Sequence, residues 1–140
     1  MSKPTSIRFD EVLLARLRRR AQATTGANTS ALAQRLVDEG LRMADHPGIL
    51  FKDGPTGRRA ALAYGPDVWE IVKFLREIDE RGPEALNAAA DVFAVDVNRI
   101  TAAVNYYGDY REEVDSEIEA AEDASLRAER AWRVQQRLIA

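Results

Sequence analysis

The first 44 residues carry the pattern of one short strand and two helices, too little chain to bury a core of its own. In Thr5-Ser6-Ile7-Arg8-Phe9, apolar and polar side chains alternate. Ile7 and Phe9 therefore share one face of an extended segment, and Ser6 and Arg8 the other. Pro4 marks its start, because proline cannot donate to a ladder. Asp10 is placed to cap a first helix, with Glu11 near its positive end. Leu13, Leu17 and Ala21 recur every four residues, widened by Leu14, and Gly26 is a suitable stop. Asn28 caps a second helix whose stripe is Leu32, Ala33, Leu36, Val37 and Leu41. A lone strand has no ladder to join. The expectation is that it pairs with a second copy of itself, giving a two-stranded ribbon with Arg8 on its polar face. Such a ribbon has the width of the major groove of DNA.

Charge supports this division of the chain. The net charge is −3. Residues 1–44 hold eight basic and four acidic side chains, a net +4, which leaves 12 basic and 19 acidic in residues 45–140, a net −7. A basic head on an acidic body implies a polyanion at one end and a different task at the other. There are no cysteines, hence no disulfide and no thiolate metal site. No apolar run approaches the ~18 residues of a membrane span. The start, Met-Ser-Lys-Pro-Thr, lacks the apolar run of a signal peptide, so a cytoplasmic protein is expected.

The run Ser-Ile-Arg-Phe-Asp-Glu-Val-Leu-Leu-Ala-Arg-Leu, a glycine turn, then Asn-Thr-Ser-Ala-Leu-Ala-Gln-Arg-Leu resembles the ribbon-helix-helix family of MetJ/Arc-type repressors. The likeness covers about the first third of the chain. It implies an obligate homodimer whose antiparallel ribbon enters the major groove, with outward strand residues reading base edges. Those residues are here Ser6 and Arg8; Pro4 stands where a polar reader is more usual. Arg8 can pair bidentately with a guanine. The family's second helix points its N-terminus at phosphate, which maps onto Asn28 and Thr29. Unpaired amides and the helix dipole favour an anion there on physical grounds as well. With Lys3, these are the expected DNA contacts: Lys3, Ser6, Arg8, Asn28 and Thr29.

Residues 46–108 read as a second, small domain. His46-Pro47-Gly48 ends the second helix. His46 is the one histidine, and without cysteines or HExxH spacing it is read as a turn residue rather than a metal ligand. Two extended runs around Asp53-Gly54-Pro55-Thr56-Gly57 read as a β-hairpin. Its loop lacks the GxxxxGK[ST] spacing of a nucleotide site. Lys52, Arg58 and Arg59 are either phosphate contacts of a wing or a solvated edge. Asp67, Gly82-Pro83 and Asp96 each open a helix, and the last two helices, joined through Ala94-Val95-Asp96, resemble a helix-turn-helix. Hairpin plus three helices looks like a winged-helix-type domain. Its last helix carries one strong cation, Arg99, among acidic neighbours. A phosphate backbone needs several, so a scaffold or protein-binding role is favoured. Trp69 is assigned to the core.

Residues 109–140 read as one helix, acidic first and basic last. Its seam through Val114, Ile118 and Trp132 is thin, too thin to hold the helix on a core, so a partner protein is expected to cover it. The expected architecture is mainly α. It has a dimeric ribbon-helix-helix head (residues 1–45), a winged-helix-like α+β domain (46–108) and a long acidic C-terminal helix (109–140).

The expected function is that of an antitoxin from a bacterial type II toxin–antitoxin pair. It would bind operator DNA as a dimer, repress its own operon and neutralise a cognate toxin through Val114, Ile118 and Trp132. A PIN-type ribonuclease is the family-level expectation for that toxin. The alternative is a stand-alone ribbon-helix-helix repressor with a sensing or oligomerising second domain. No cofactor, metal or membrane partner is expected. No nucleophile–base spacing points to an enzyme.

Overall fold

The computed structural model describes residues 3–24, 28–54 and 57–140. The expected helix stop at Gly26 and the hairpin-loop residues Pro55 and Thr56 lie outside the described residues. The elements in chain order are α1 (Glu11–Ala23), α2 (Thr29–Asp45), β1 (Ile49–Gly54), β2 (Gly57–Leu62), α3 (Val68–Glu77), α4 (Pro83–Phe93), α5 (Val97–Asp109) and α6 (Arg111–Ile139). The protein is thus mainly helical, with a two-stranded antiparallel sheet and a long C-terminal helix. Among the described residues no helix is long and apolar enough to cross a membrane. The chain divides into two compact units, residues 1–42 and 43–140.

In the first unit, α1 and α2 are set by their caps. The Asp10 carboxylate accepts from the Leu13 N–H at 2.8 Å. The Asn28 carboxamide oxygen accepts from the Ala31 N–H at 2.7 Å. Each satisfies an amide that the first helical turn leaves without a partner. The core is small: Leu17, Ala21 and Leu32, with Phe9 and Ala33 packed against them. Residues 3–10 carry no regular structure. The strand expected over 5–9 is not formed within the single chain, which offers that segment no neighbouring strand.

The second unit begins with the hairpin, paired in register from Ile49↔Leu62 to Gly54↔Gly57. Its apolar side joins a core built from Leu62, Val68, Ile71, Ala89, Ile100, Ala103 and Tyr106. Helices α3, α4 and α5 pack on one another around it. Pro83 sits in the first turn of α4, where its missing N–H costs nothing. Ala94 closes α4 in the left-handed conformation, and Asp96 then caps α5. The chain therefore turns between the two helices within three residues.

One expectation is corrected here. Val114 and Ile118 are 0% and 4% exposed and belong to this core, so the first turns of α6 are part of the body. Two buried branched residues at i and i+4, on a helix in contact with α3 and α5, hold it where the seam as a whole would not. His46 takes the turn expected of it, its carbonyl accepting from the Ile49 N–H at 3.1 Å, and it is also buried: its Nε2 lies 2.8 Å from Asp109 Oδ2, and its ring meets the edges of Tyr106 and Tyr110.

Candidate nucleic-acid and partner interfaces

In the head unit, Lys3, Ser6 and Arg8 are all exposed on the segment before α1. Asn28 and Thr29 open α2 as expected. The Asn28 oxygen is occupied by its cap, so an anion there would meet the backbone amides of Thr29 and Ser30. Beside these polar groups lies a groove of about 640 Å³. Ile7 and Phe9 line one side of it, and Thr29, Ala33, Val37 and Leu41 of α2 the other. Ile7 is 67% exposed, Val37 48% and Leu41 62%. Most of the apolar stripe of α2 is therefore open: Leu32 is buried and Ala33 half-buried, while Leu36, Val37 and Leu41 face outward. A second groove, missed in the sequence, is lined by Leu13, Leu17 and Leu36 with Arg16, Arg19 and Arg20. The spacing of the arginines on α1 was visible, but not that Leu13 and Leu36 stay open between them.

In the second unit the cations of the hairpin are already committed. Arg59 Nε donates to Asp67 Oδ2, and Lys52 Nζ lies 3.0 Å from Asp67 Oδ1. Arg58 Nη1 is 3.5 Å from Asp53. Arg99 donates from its guanidinium to the Ala63 carbonyl, on the turn after β2. The side chains that sequence spacing offered as wing and recognition-helix cations thus brace the domain against itself. Asp67 is the centre of that bracing. Its carboxylate also accepts from the Trp69 indole at 3.0 Å, and its backbone N–H donates to Glu70 at 2.8 Å.

A second network ties α6 to α3 and α5. Asp115 accepts from the Tyr107 hydroxyl at 2.8 Å and from Arg76, and Arg76 also donates to the Tyr107 oxygen at 2.8 Å. The Tyr107 hydrogen bond, followed by Arg76, holds the Asp115 carboxyl below its ordinary value of 3.8. A depressed folded-state value means that Asp115 contributes stability at neutral pH. That contribution is lost as pH falls below the ordinary carboxylate range and through the folded value. Thermal melts of the protein from pH 7 to pH 2.5 should show a steeper acid loss than those of Asp115→Asn. Parallel curves for the two would remove Asp115 from the acid response.

Beyond Ala121 the rest of α6 is exposed on all sides, and Trp132 is 58% exposed. Of the three side chains expected to meet a partner, Val114 and Ile118 are in the core and Trp132 alone is accessible. Among the described residues no group of three or more histidine, cysteine or carboxylate side chains is placed to hold a metal ion. Comparisons with protein-family models, with curated proteins and with solved structures find no match for this chain.

Proposed function

We propose that the chain is a DNA-binding antitoxin: a ribbon-helix-helix dimer that represses its own operon and restrains a toxin with the free part of α6. The observation that carries the reading is the half-built core of the head. Three buried residues sit beside an open apolar face on the 5–9 segment and α2, next to an exposed Arg8. A second copy laid along that face would close it, and the two 5–9 segments would supply each other's missing strand. The ribbon so formed puts Lys3, Ser6 and Arg8 toward DNA and the α2 N-termini, with Asn28 and Thr29, toward phosphate. The second unit is read as a winged-helix-like scaffold rather than a second DNA contact, because Lys52, Arg59 and Arg99 are consumed internally. Trp132 is the anchor left for a toxin, an aromatic of the kind that dominates interface energetics.

One observation favours the alternative of a stand-alone repressor with an oligomerising second domain. Because Val114 and Ile118 bind α6 to the body, no separate partner segment starts at residue 109.

The test pairs two variants in cells that carry the chain's own promoter and the neighbouring reading frame. Arg8→Ala should derepress a promoter reporter and weaken operator binding by ~1–3 kcal/mol per half-site contact, without affecting protection from the toxin. Trp132→Ala should leave the reporter repressed and abolish protection. Unchanged operator affinity in Arg8→Ala removes the ribbon reading. A neighbouring frame with no toxicity, or full protection by Trp132→Ala, turns the choice to the stand-alone repressor.

A further inference from the structure

Helix α6 carries charge in a pattern that its dipole alone does not require. At about 100° per residue, Glu112, Glu119, Asp123, Arg127, Arg130 and Arg137 fall within a sector of about 80°. That sector lies on the side of the helix opposite Val114 and Ile118, which face the core. All six side chains are exposed, and none has an ion-pair partner among the described residues. The acidic three precede residue 125 and the basic three follow it. They are also evenly placed about that point. Turned end for end, the helix sets Glu112 opposite Arg137, Glu119 opposite Arg130 and Asp123 opposite Arg127. Val134, 63% exposed, lies within the same sector, and Leu126, 50% exposed, lies about 20° outside its edge; both supply apolar contact along it.

We infer that this face of α6 is a self-complementary surface whose occupant is the α6 of a second copy, packed antiparallel about a two-fold axis that meets the charged face at the level of residue 125, between Asp123 and Arg127. An isologous contact requires a patch that matches its own inverted copy, and a face split into an acidic and a basic half does so along a helix of this length. A parallel pairing would set like charge on like charge along the whole sector. Single exposed ion pairs are weak, so the specificity of the arrangement comes from the repeated match rather than from one contact. Trp132 and Ile139 continue the line of Val114 and Ile118 on the other side of the helix. Self-pairing therefore leaves the proposed toxin anchor uncovered. The inference stands whether or not the head units pair, because it is read from α6 alone.

The chain has no cysteine, so single cysteines can be placed in the full-length protein without background. Leu126→Cys, near the axis, should form an intermolecular disulfide about tenfold faster than Asp79→Cys, an exposed control on the second unit. Glu112→Cys and Arg137→Cys should each cross-link alone no faster than the control, yet cross-link readily when mixed. Raising salt from 0.1 to 1 M shortens the Debye length from about 10 to about 3 Å and should slow the mixed reaction. Replacing Arg127, Arg130 and Arg137 together by Glu should reduce Leu126→Cys cross-linking to the control rate. Mixing that variant with one carrying Lys at positions 112, 119 and 123 should restore it. Fast same-position cross-linking at 112 and at 137 would mean a parallel pair, and control rates at every position would mean no self-pairing; either overturns the inference.

Discussion

Val37→Asp should turn the protein's head from a pairing unit into a monomeric one, with operator binding lost in the same step. In one chain Val37 is about half exposed, so a carboxylate there finds water and costs the isolated fold little. On the proposed dimer the same position lies in the groove bounded by Ile7, Phe9 and Leu41, filled by the second copy. A two-fold arrangement buries two such carboxylates, one from each chain, with no cation on either wall to pair them. Burying an unpaired charge costs several kcal/mol. At about 1.4 kcal/mol per factor of ten, association should weaken by at least about 10²-fold. Because only the dimer offers a ribbon, DNA binding falls with it. Sedimentation velocity and a DNA mobility assay on the same samples read both effects. Leu32→Asp is the contrast: Leu32 is 2% exposed within one chain, so that variant should lose helix content itself. A Val37→Asp protein with wild-type mass and wild-type DNA affinity would sink the paired-head reading.

That contrast between Leu32 and Val37 also marks how far sequence carries a reading of this chain. Local grammar is legible. Asp10, Asn28 and Asp96 cap the helices that their positions predict, Pro83 opens α4, and the hairpin lies between Ile49 and Leu62. These features depend on near neighbours in the chain, which the sequence displays directly. Burial is less legible, because it depends on what arrives from elsewhere. Leu32, Leu36, Val37 and Leu41 form one stripe by spacing, and nothing in that spacing says that a single chain covers Leu32 alone.

The same limit applies to charge. Lys52, Arg59 and Arg99 read as free cations because their partners, Asp67 and the Ala63 carbonyl, are between 8 and 36 residues from them and meet them only through the fold. Val114 and Ile118 look like part of a poor seam when averaged with Ser125 and Gln135. They are good core residues when only the first turns of α6 touch the body. Of the candidate site, the residue types of the head are readable. Their pairing across two molecules is an expectation that the spacing motivates and the variant above tests.

The largest stability effect should come from Asp67→Ala. The Asp67 side chain is 5% exposed and joins three elements: Lys52 of β1, Arg59 of β2 and the Trp69 indole at the start of α3. Losing the carboxylate does not merely delete these bonds. Arg59, 17% exposed, keeps a mostly covered guanidinium without its carboxylate partner, and the Trp69 N–H loses its acceptor. Lys52, 43% exposed, can turn outward and adds little. Removing one partner of a buried pair costs about 3–5 kcal/mol, a large part of the roughly 5–15 kcal/mol that holds a domain folded. For a unit of this size each kcal/mol moves Tm by about 4–8 °C, so a drop of at least about 12 °C is expected. The double variant Asp67→Ala with Arg59→Met separates the causes. If the cost is the stranded guanidinium, removing it should recover much of the loss, because an apolar pair of similar shape can replace a buried ion pair. If the cost is the hairpin-to-α3 link itself, the double variant should be no better than the single one. A melt of Asp67→Ala within about 3 °C of the wild type would show that Lys52, Arg59 and Trp69 find water without it, and the bracing assigned to the hairpin cations would fail. Those cations would then be free for a polyanion, and the case for a single DNA-binding surface at the head would fail with it.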